Sequence, residues 1–365
     1  MRSQSSMKKR MKIAVISLYD NDNFGNRLQN YATCRLLEKN GDRVYSLKNN
    51  VWKNNNNLFS VYCTEIYLFF RLIKSFFFKR REFKKKIKFM KFNKNINMTK
   101  TFYTGRCYKL NFFDKYFVGS DQVWNPTPDY INDLYLLKNI KSDEKYSIAA
   151  SFGISKLPSK MNEVIRKEFI KFKKISIREN AGLKILNHID SRMDSELLVD
   201  PTLAIMPEEW MRLEKKPKKY TSQKYILNYF LGEIPKERKI QIERLAKKHN
   251  YKIINILDRN DEYYVSGPGE FLFLERNAEL ICTDSYHSCV FAIIFHRPFI
   301  VFDREQNITS MSSRIDNLLD IFELNKRRFS GNFLDDVFVT DYEKADSILV
   351  EERKKMYSYI SECLH

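Results

Sequence analysis

The chain has 365 residues, 43% hydrophobic and 14% aromatic, which is enough to bury two cores and excludes a disordered or fibrous protein. Its formal net charge of +19, from 64 basic and 45 acidic residues, favours anionic partners: nucleic acid, lipid headgroups or phosphorylated small molecules. No apolar run reaches the ~18 residues of a membrane span. The six scattered cysteines lack a C-x-x-C pair, so they read as reduced thiols of a cytoplasmic protein, with no metal site.

Residues 1–10 are expected to form a loose tail. The basic residues there precede only a short apolar run without a small-residue cleavage site, so that run reads as a strand and not a signal peptide. Strands are expected at Lys12–Leu18, Arg43–Leu47, Lys115–Val118, Tyr146–Ala149, Ile175–Ile177 and Leu197–Val199. A polar, Lys- and Pro-containing passage at 206–223 follows, and then the alternation restarts at Tyr225–Tyr229, Lys252–Ile256, Leu280–Thr283 and Phe299–Phe302. Helix-compatible stretches separate these strands, a rhythm that implies βαβ units and parallel sheets. The expected division is a domain at 11–205, a linker at 206–223, a domain at 224–345 and a C-terminal helix at 346–365.

The segment 62–94 breaks the rhythm. Aromatic residues cluster at Tyr67, Phe69, Phe70 and Phe76–Phe78, and Lys79–Lys94 then holds nine basic residues and one Glu. A long helix would pack its apolar face on the core and turn its basic face to solvent or to an anionic membrane surface. No helix-turn-helix, zinc-finger or RNP signature accompanies the basic run, so nucleic acid is not the expected partner.

Four blocks place polar groups where a strand ends and a helix begins. In Asp20–Ala32, Gly25 suits a tight turn, and Asn23, Asn26, Arg27 and Gln29 offer amide and guanidinium donors at a helix start; the plainer alternative is helix capping. The block lacks the G-x-G-x-x-G spacing, so a dinucleotide is not indicated. In Val118–Pro126, Ser120, Asp121, Gln122, Trp124 and Asn125 combine polar side chains with a flat apolar ring, as a sugar requires, unless Trp124 lies in the core. In Ser176–Asn180, Arg178 follows two apolar residues and suits a carboxylate or phosphate, the alternative being a surface pair with Glu179. In Ile281–Phe299, Asp284, Ser285, Tyr286, His287 and Ser288 sit at a helix start, where free N–H groups favour an anion and a histidine can move a proton near pH 7.

Together these blocks, with SIAASFG, LLVDPTL and SRIDNLL at Ser313–Leu319, resemble the polysaccharide pyruvyl transferase family over most of residues 11–325. The small pair usual in that family after the histidine is Ser288-Cys289 here. The resemblance implies an α/β fold with two Rossmann-like domains facing a cleft, similar to the GT-B architecture. It implies transfer of the enolpyruvyl carbons of phosphoenolpyruvate to a sugar as a ketal, on a capsule, exopolysaccharide or cell-wall polymer. On that footing His287 is the expected general acid and Asp121 the residue that orients or deprotonates the acceptor. Arg178, Ser285, Ser288 and Arg314 are expected to hold the donor, phosphoenolpyruvate being a co-substrate with no cofactor or metal required. The acceptor would be a sugar or lipid-linked oligosaccharide, expected at Asn23, Asn26, Arg27, Gln29, Ser120, Gln122, Trp124 and Asn125. The rival readings are a glycosyltransferase with a nucleotide-sugar donor and a basic nucleic-acid-binding protein.

Overall fold

The computed structural model describes residues 10–19, 22–38, 42–49, 79–103, 110, 112–126, 133–138, 140–304, 309–333 and 336–365. The expected tail up to residue 9 and the aromatic cluster at 62–78 lie outside these residues.

The first sheet contains β1 (Lys12–Ile16), β2 (Arg43–Asn49), β3 (Met98–Tyr103), β4 (Lys115–Val118) and β5 (Lys145–Ser147), in the order β3-β2-β1-β4-β5. All its pairings are parallel. The parallel pair β6 (Ile175–Ile177) and β7 (Ser195–Leu197) continues it through bridges Tyr146–Lys174 and Ala150–Ile177. A second parallel sheet orders β8 (Tyr225–Tyr229), β9 (Lys252–Asn255), β10 (Leu280–Thr283) and β11 (Phe299–Val301) as β11-β10-β8-β9. Both are Rossmann-like. Each reverses its winding at one point, between β1 and β4 and between β8 and β10, and the crevice beyond the strand ends there is where such folds bind ligands.

The helices are α1 (Phe24–Glu38), α2 (Arg80–Phe92), α3 (Ser159–Phe169), α4 (Asn180–Ile189), α5 (Pro201–Ala204), α6 (Pro207–Leu213), α7 (Lys236–His249), α8 (Pro268–Asn277), α9 (Tyr286–Ile294), α10 (Thr309–Ile321) and α11 (Glu343–Leu364). No described helix is long and apolar enough to cross a membrane.

The two sheets share a continuous core. Phe24, opening α1, stacks on Phe271 of α8 at 4.7 Å and on Phe89 of α2 at 5.2 Å. Within the 206–223 passage between the two sheets, α6 drives Trp210, fully buried, between Tyr31 (5.5 Å) and Phe291 (5.2 Å). Truncating such a residue to Ala costs roughly 3–5 kcal/mol. Helix α11 crosses back to the first sheet, where the Tyr359 hydroxyl donates to Ser147 O at 2.7 Å and Lys115 Nζ to Cys363 O at 2.8 Å. With the shared core, these contacts pack α11 against the first sheet.

Candidate active site

The site is built from loops at the carboxyl ends of β4, β6, β7 and β10. After β4, Asp121 adopts the left-handed conformation (φ 75°), which Asp tolerates because its carboxylate can bond locally; Oδ1 accepts from the Gln122 N–H at 2.9 Å. After β6, Arg178 is fully buried. Its Nη1 donates to Asp200 Oδ2 at 2.5 Å and its Nη2 to Asp121 Oδ1 at 3.3 Å, and the guanidinium lies 4.5 Å from the Tyr286 ring centroid.

After β7, Asp200 has two duties. Oδ1 caps α5 by accepting from Thr202 N and Oγ1 at 3.0 and 2.7 Å, with Pro201 at the first helical position. Oδ2 faces the junction, accepting from Ser120 Oγ at 2.8 Å as well as from Arg178. Burial opposes the ionised form, but Arg178 and His287 outweigh it and bring the carboxyl to about 2.

His287, in the first turn of α9, reaches this cluster from the second sheet. Its Nε2 lies 3.7 Å from Asp200 Oδ2, and among the described residues it has no hydrogen-bond partner. The imidazole rests on Gly25, where a Cβ would come within 2.2 Å of Nδ1, so only glycine leaves room for the ring. Burial pushes the imidazole below its usual pKa, against the opposing pull of Asp200 and Asp121.

Helix α10 completes the cluster. Arg314 Nη1 lies 3.8 Å from Asp121 Oδ1, and Asn317 binds Asn180 Nδ2 at 2.9 Å. Burial and the neighbouring Arg178 depress Arg314 to about 10. Glu179 is buried behind it, its Oε1 accepting from Ser151 Oγ (3.0 Å) and from the N–H groups of Phe152 (2.9 Å) and Gly153 (3.3 Å). Burial raises its carboxyl despite Arg178 and Arg314. Buried atoms without a partner among the described residues gather here: His287 Nε2, Gln122 Nε2, Arg178 Nε, Arg314 Nε, Glu179 Oε2 and Gln29 Oε1. Native interiors rarely leave such atoms unpaired, so donors and acceptors converging at one place mark a polar ligand site.

The structure thus brings together His287, Asp121, Arg178, Arg314 and Ser120. Gln29 joins them through Ser17, whose Oγ it donates to at 2.6 Å and which donates in turn to Ser120 O at 3.1 Å. Others fall elsewhere. Trp124 is not an acceptor platform: it is fully buried among Phe152, Phe169 and Phe172, and its Nε1 donates to Tyr135 O at 3.0 Å. Ser288 points away from the junction, donating to the buried Glu275 at 2.6 Å. The N–H of Ser285, at the cap of α9, is taken by Thr283 Oγ1 at 3.0 Å. Asn23 caps α1 by accepting from the Asn26 N–H at 3.2 Å, and Arg27 braces the preceding loop at Leu18 O (3.0 Å). Asn125 closes the turn after Asp121, its N–H on Gln122 O at 3.2 Å. The main omission of the motif reading is Asp200; Asp before Pro at a strand end was its visible signal.

The second winding reversal is closed by the chain itself. Asp284 Oδ1 accepts from the Leu231 N–H at 2.7 Å, and Oδ2 accepts from the Gly232 N–H at 2.9 Å and from Arg304 Nε at 2.8 Å.

Solved structures similar in fold include the glycosyltransferase SnogD from Streptomyces nogalater, at 11% identity and TM-score 0.40, covering 97% of this chain and 96% of that one. E. coli ADP-heptose lps heptosyltransferase II matches at 9% identity and TM-score 0.36, covering 94% and 99%. S. aureus TarM matches at 14% identity and TM-score 0.36, covering 95% and 98%. Comparison with curated proteins returned no match. The family model described as Polysaccharide pyruvyl transferase matches residues 23–306, from the start of α1 through the loop after β11 and across every site element except α10. The chain therefore belongs to the polysaccharide pyruvyl transferase family.

Proposed function

We propose that the protein transfers the enolpyruvyl carbons of phosphoenolpyruvate to two hydroxyls of a sugar as a ketal, releasing phosphate. The observation that carries this reading is His287: a buried imidazole whose Nε2 has no hydrogen-bond partner among the described residues, set among two arginines and two aspartates. Family membership supports it.

Arg178 is already held by two carboxylates, so it fixes the electrostatic frame. Arg314, whose nearest carboxylate among the described residues is Asp121 at 3.8 Å, is the better ligand for the donor's phosphate or carboxylate. A docked polyanion raises the affinity of His287 for a proton, so donor binding and arming of the acid are coupled. The imidazolium gives its proton to the methylene carbon, which becomes a methyl group, and the adjacent carbon takes on oxocarbenium character. One sugar hydroxyl adds there and loses its proton; Asp121 is the candidate acceptor. The carbon–oxygen bond to phosphate then breaks, and a second hydroxyl closes the ketal. Of the two hydroxyl protons, one restores His287 and the other leaves with phosphate.

The nucleotide-sugar alternative is less well served. At the second winding reversal the N–H groups of Leu231 and Gly232, and Arg304, already hold the Asp284 carboxylate. Those are the donors a nucleotide's phosphates would use. The test offers purified protein phosphoenolpyruvate or nucleotide sugars with lipid-linked oligosaccharide acceptors. Phosphate release with a pyruvylated product supports the proposal; nucleotide release with a glycosylated product overturns it.

A further inference from the structure

We infer that the outer face of α2 docks the protein on an anionic lipid surface. The inference concerns where the enzyme works and does not depend on its donor.

The basic run divides into two sets. One set is consumed in packing. Lys85 is buried, its ammonium 5.0 Å from the Phe24 ring centroid and 5.1 Å from that of Tyr264. Lys88 pairs with Glu270 at 2.6 Å, and Arg81 donates to Asp261 O. Phe89 and Phe92 are buried beside them. These contacts orient the helix firmly on α1 and α8.

The other set faces out. At 3.6 residues per turn, Arg80, Lys84 and Lys91 fall within about 40° of one another, and Lys94 extends the stripe. Arg80, Lys84, Lys91 and Lys94 are exposed, and among the described residues none of them has an ion-pair partner. Beside them on the same side lie Met90, 47% exposed, and the partly exposed Phe83 and Ile87.

A row of unneutralised cations beside exposed apolar side chains matches an anionic bilayer surface, where charge attracts and apolar groups enter the headgroup layer. A nucleic acid would use the cations but leave the exposed Met90 and the partly exposed Ile87 without a role. The helix is also close to the chemistry: Phe89 stacks on Phe24, and the next residue, Gly25, lies under His287. A membrane-held α2 therefore brings the crevice near the surface that carries a lipid-linked acceptor.

The test is co-sedimentation of the full chain with phosphatidylglycerol vesicles, phosphatidylcholine vesicles serving as control. One variant carries Arg80→Gln, Lys84→Gln, Lys91→Gln and Lys94→Gln; a second carries Met90→Ala alone. Circular dichroism of both checks the fold. The expected result is binding of wild type to phosphatidylglycerol only, lost at high salt. Each charge near such a surface contributes on the order of fivefold in partitioning, so the quadruple variant should lose at least ~100-fold. Met90→Ala should weaken binding several-fold at unchanged charge. Equal sedimentation of wild type and quadruple variant, or none at low salt, overturns the inference. So does duplex RNA binding lost in the quadruple variant while vesicle binding is not.

Discussion

His287 Nε2 lies 3.7 Å from Asp200 Oδ2, and that oxygen is already shared by Ser120 and Arg178. The carboxylate is close enough to steer the imidazole and too heavily engaged to hold it. Two substitutions should therefore move the imidazole pKa in opposite directions. Asp200→Asn removes the charge and should lower it further; Ser120→Ala frees a lone pair and should raise it. Nitrogen-15 NMR titration, with His287 assigned by its loss in His287→Gln, reads both. Shifts of the same sign would show that Asp200 does not set the basicity of His287.

His287→Gln should lower turnover ~100- to 10,000-fold, the usual cost of losing one general acid, with an unchanged circular dichroism spectrum. Activity near wild type on a defined acceptor would remove His287 from the acid role.

The two arginines should separate. Arg178→Ala leaves Asp200 buried without its hydrogen-bonded cation and Asp121 with only Arg314 at 3.8 Å, and breaking such a pair typically costs about 3–5 kcal/mol, so melting temperature should fall. Arg314→Gln should instead raise the KM for phosphoenolpyruvate roughly tenfold or more with little change in melting temperature. The reverse pattern would exchange the roles assigned here.

Stability should depend on pH through His287. Its folded-state pKa lies below the unfolded value of 6.5, so the unfolded chain binds the extra proton first. The contribution is complete above 6.5 and is lost as pH falls through the folded-state value. Wild type should lose melting temperature from pH 7.5 to 5.5 more steeply than His287→Gln, as followed by calorimetry; parallel curves would show that His287 is not buried neutral.

Gly25→Ala should displace the imidazole, since its Cβ would collide with the ring, and lower kcat at least ~100-fold while the Arg314-dependent donor affinity changes little. A variant with wild-type kcat would show that the ring does not sit there during turnover.

Much of the fold was legible because buried parallel strands are short apolar runs bounded by polar turns. β4, β6, β8 and β10 match the expected ranges. β3 was missed: MTKTFY, on the sheet edge, mixes polar and apolar residues. In the 206–223 passage Lys and Pro dominate the composition, and nothing in that composition announces the short helix that buries Trp210. Residue type showed where polar groups leave strand ends, and so singled out His287, Asp121 and Arg178, which lie together in the structure. It could not show direction. Trp124 and Ser288 turn into the core, and Asp200 was hidden because its capping duty and its site duty use different oxygens of one side chain.

The central claim is that His287 delivers a proton to the methylene carbon of phosphoenolpyruvate. Running the reaction in deuterium oxide with an accepted oligosaccharide, and examining the product by mass spectrometry and NMR, tests it most directly. The expected product carries one solvent-derived deuterium in the ketal methyl group when formed by wild type, and this product is lost in His287→Gln. A product whose transferred carbons carry no solvent hydrogen, or full deuterium incorporation at wild-type rate by His287→Gln, would contradict it.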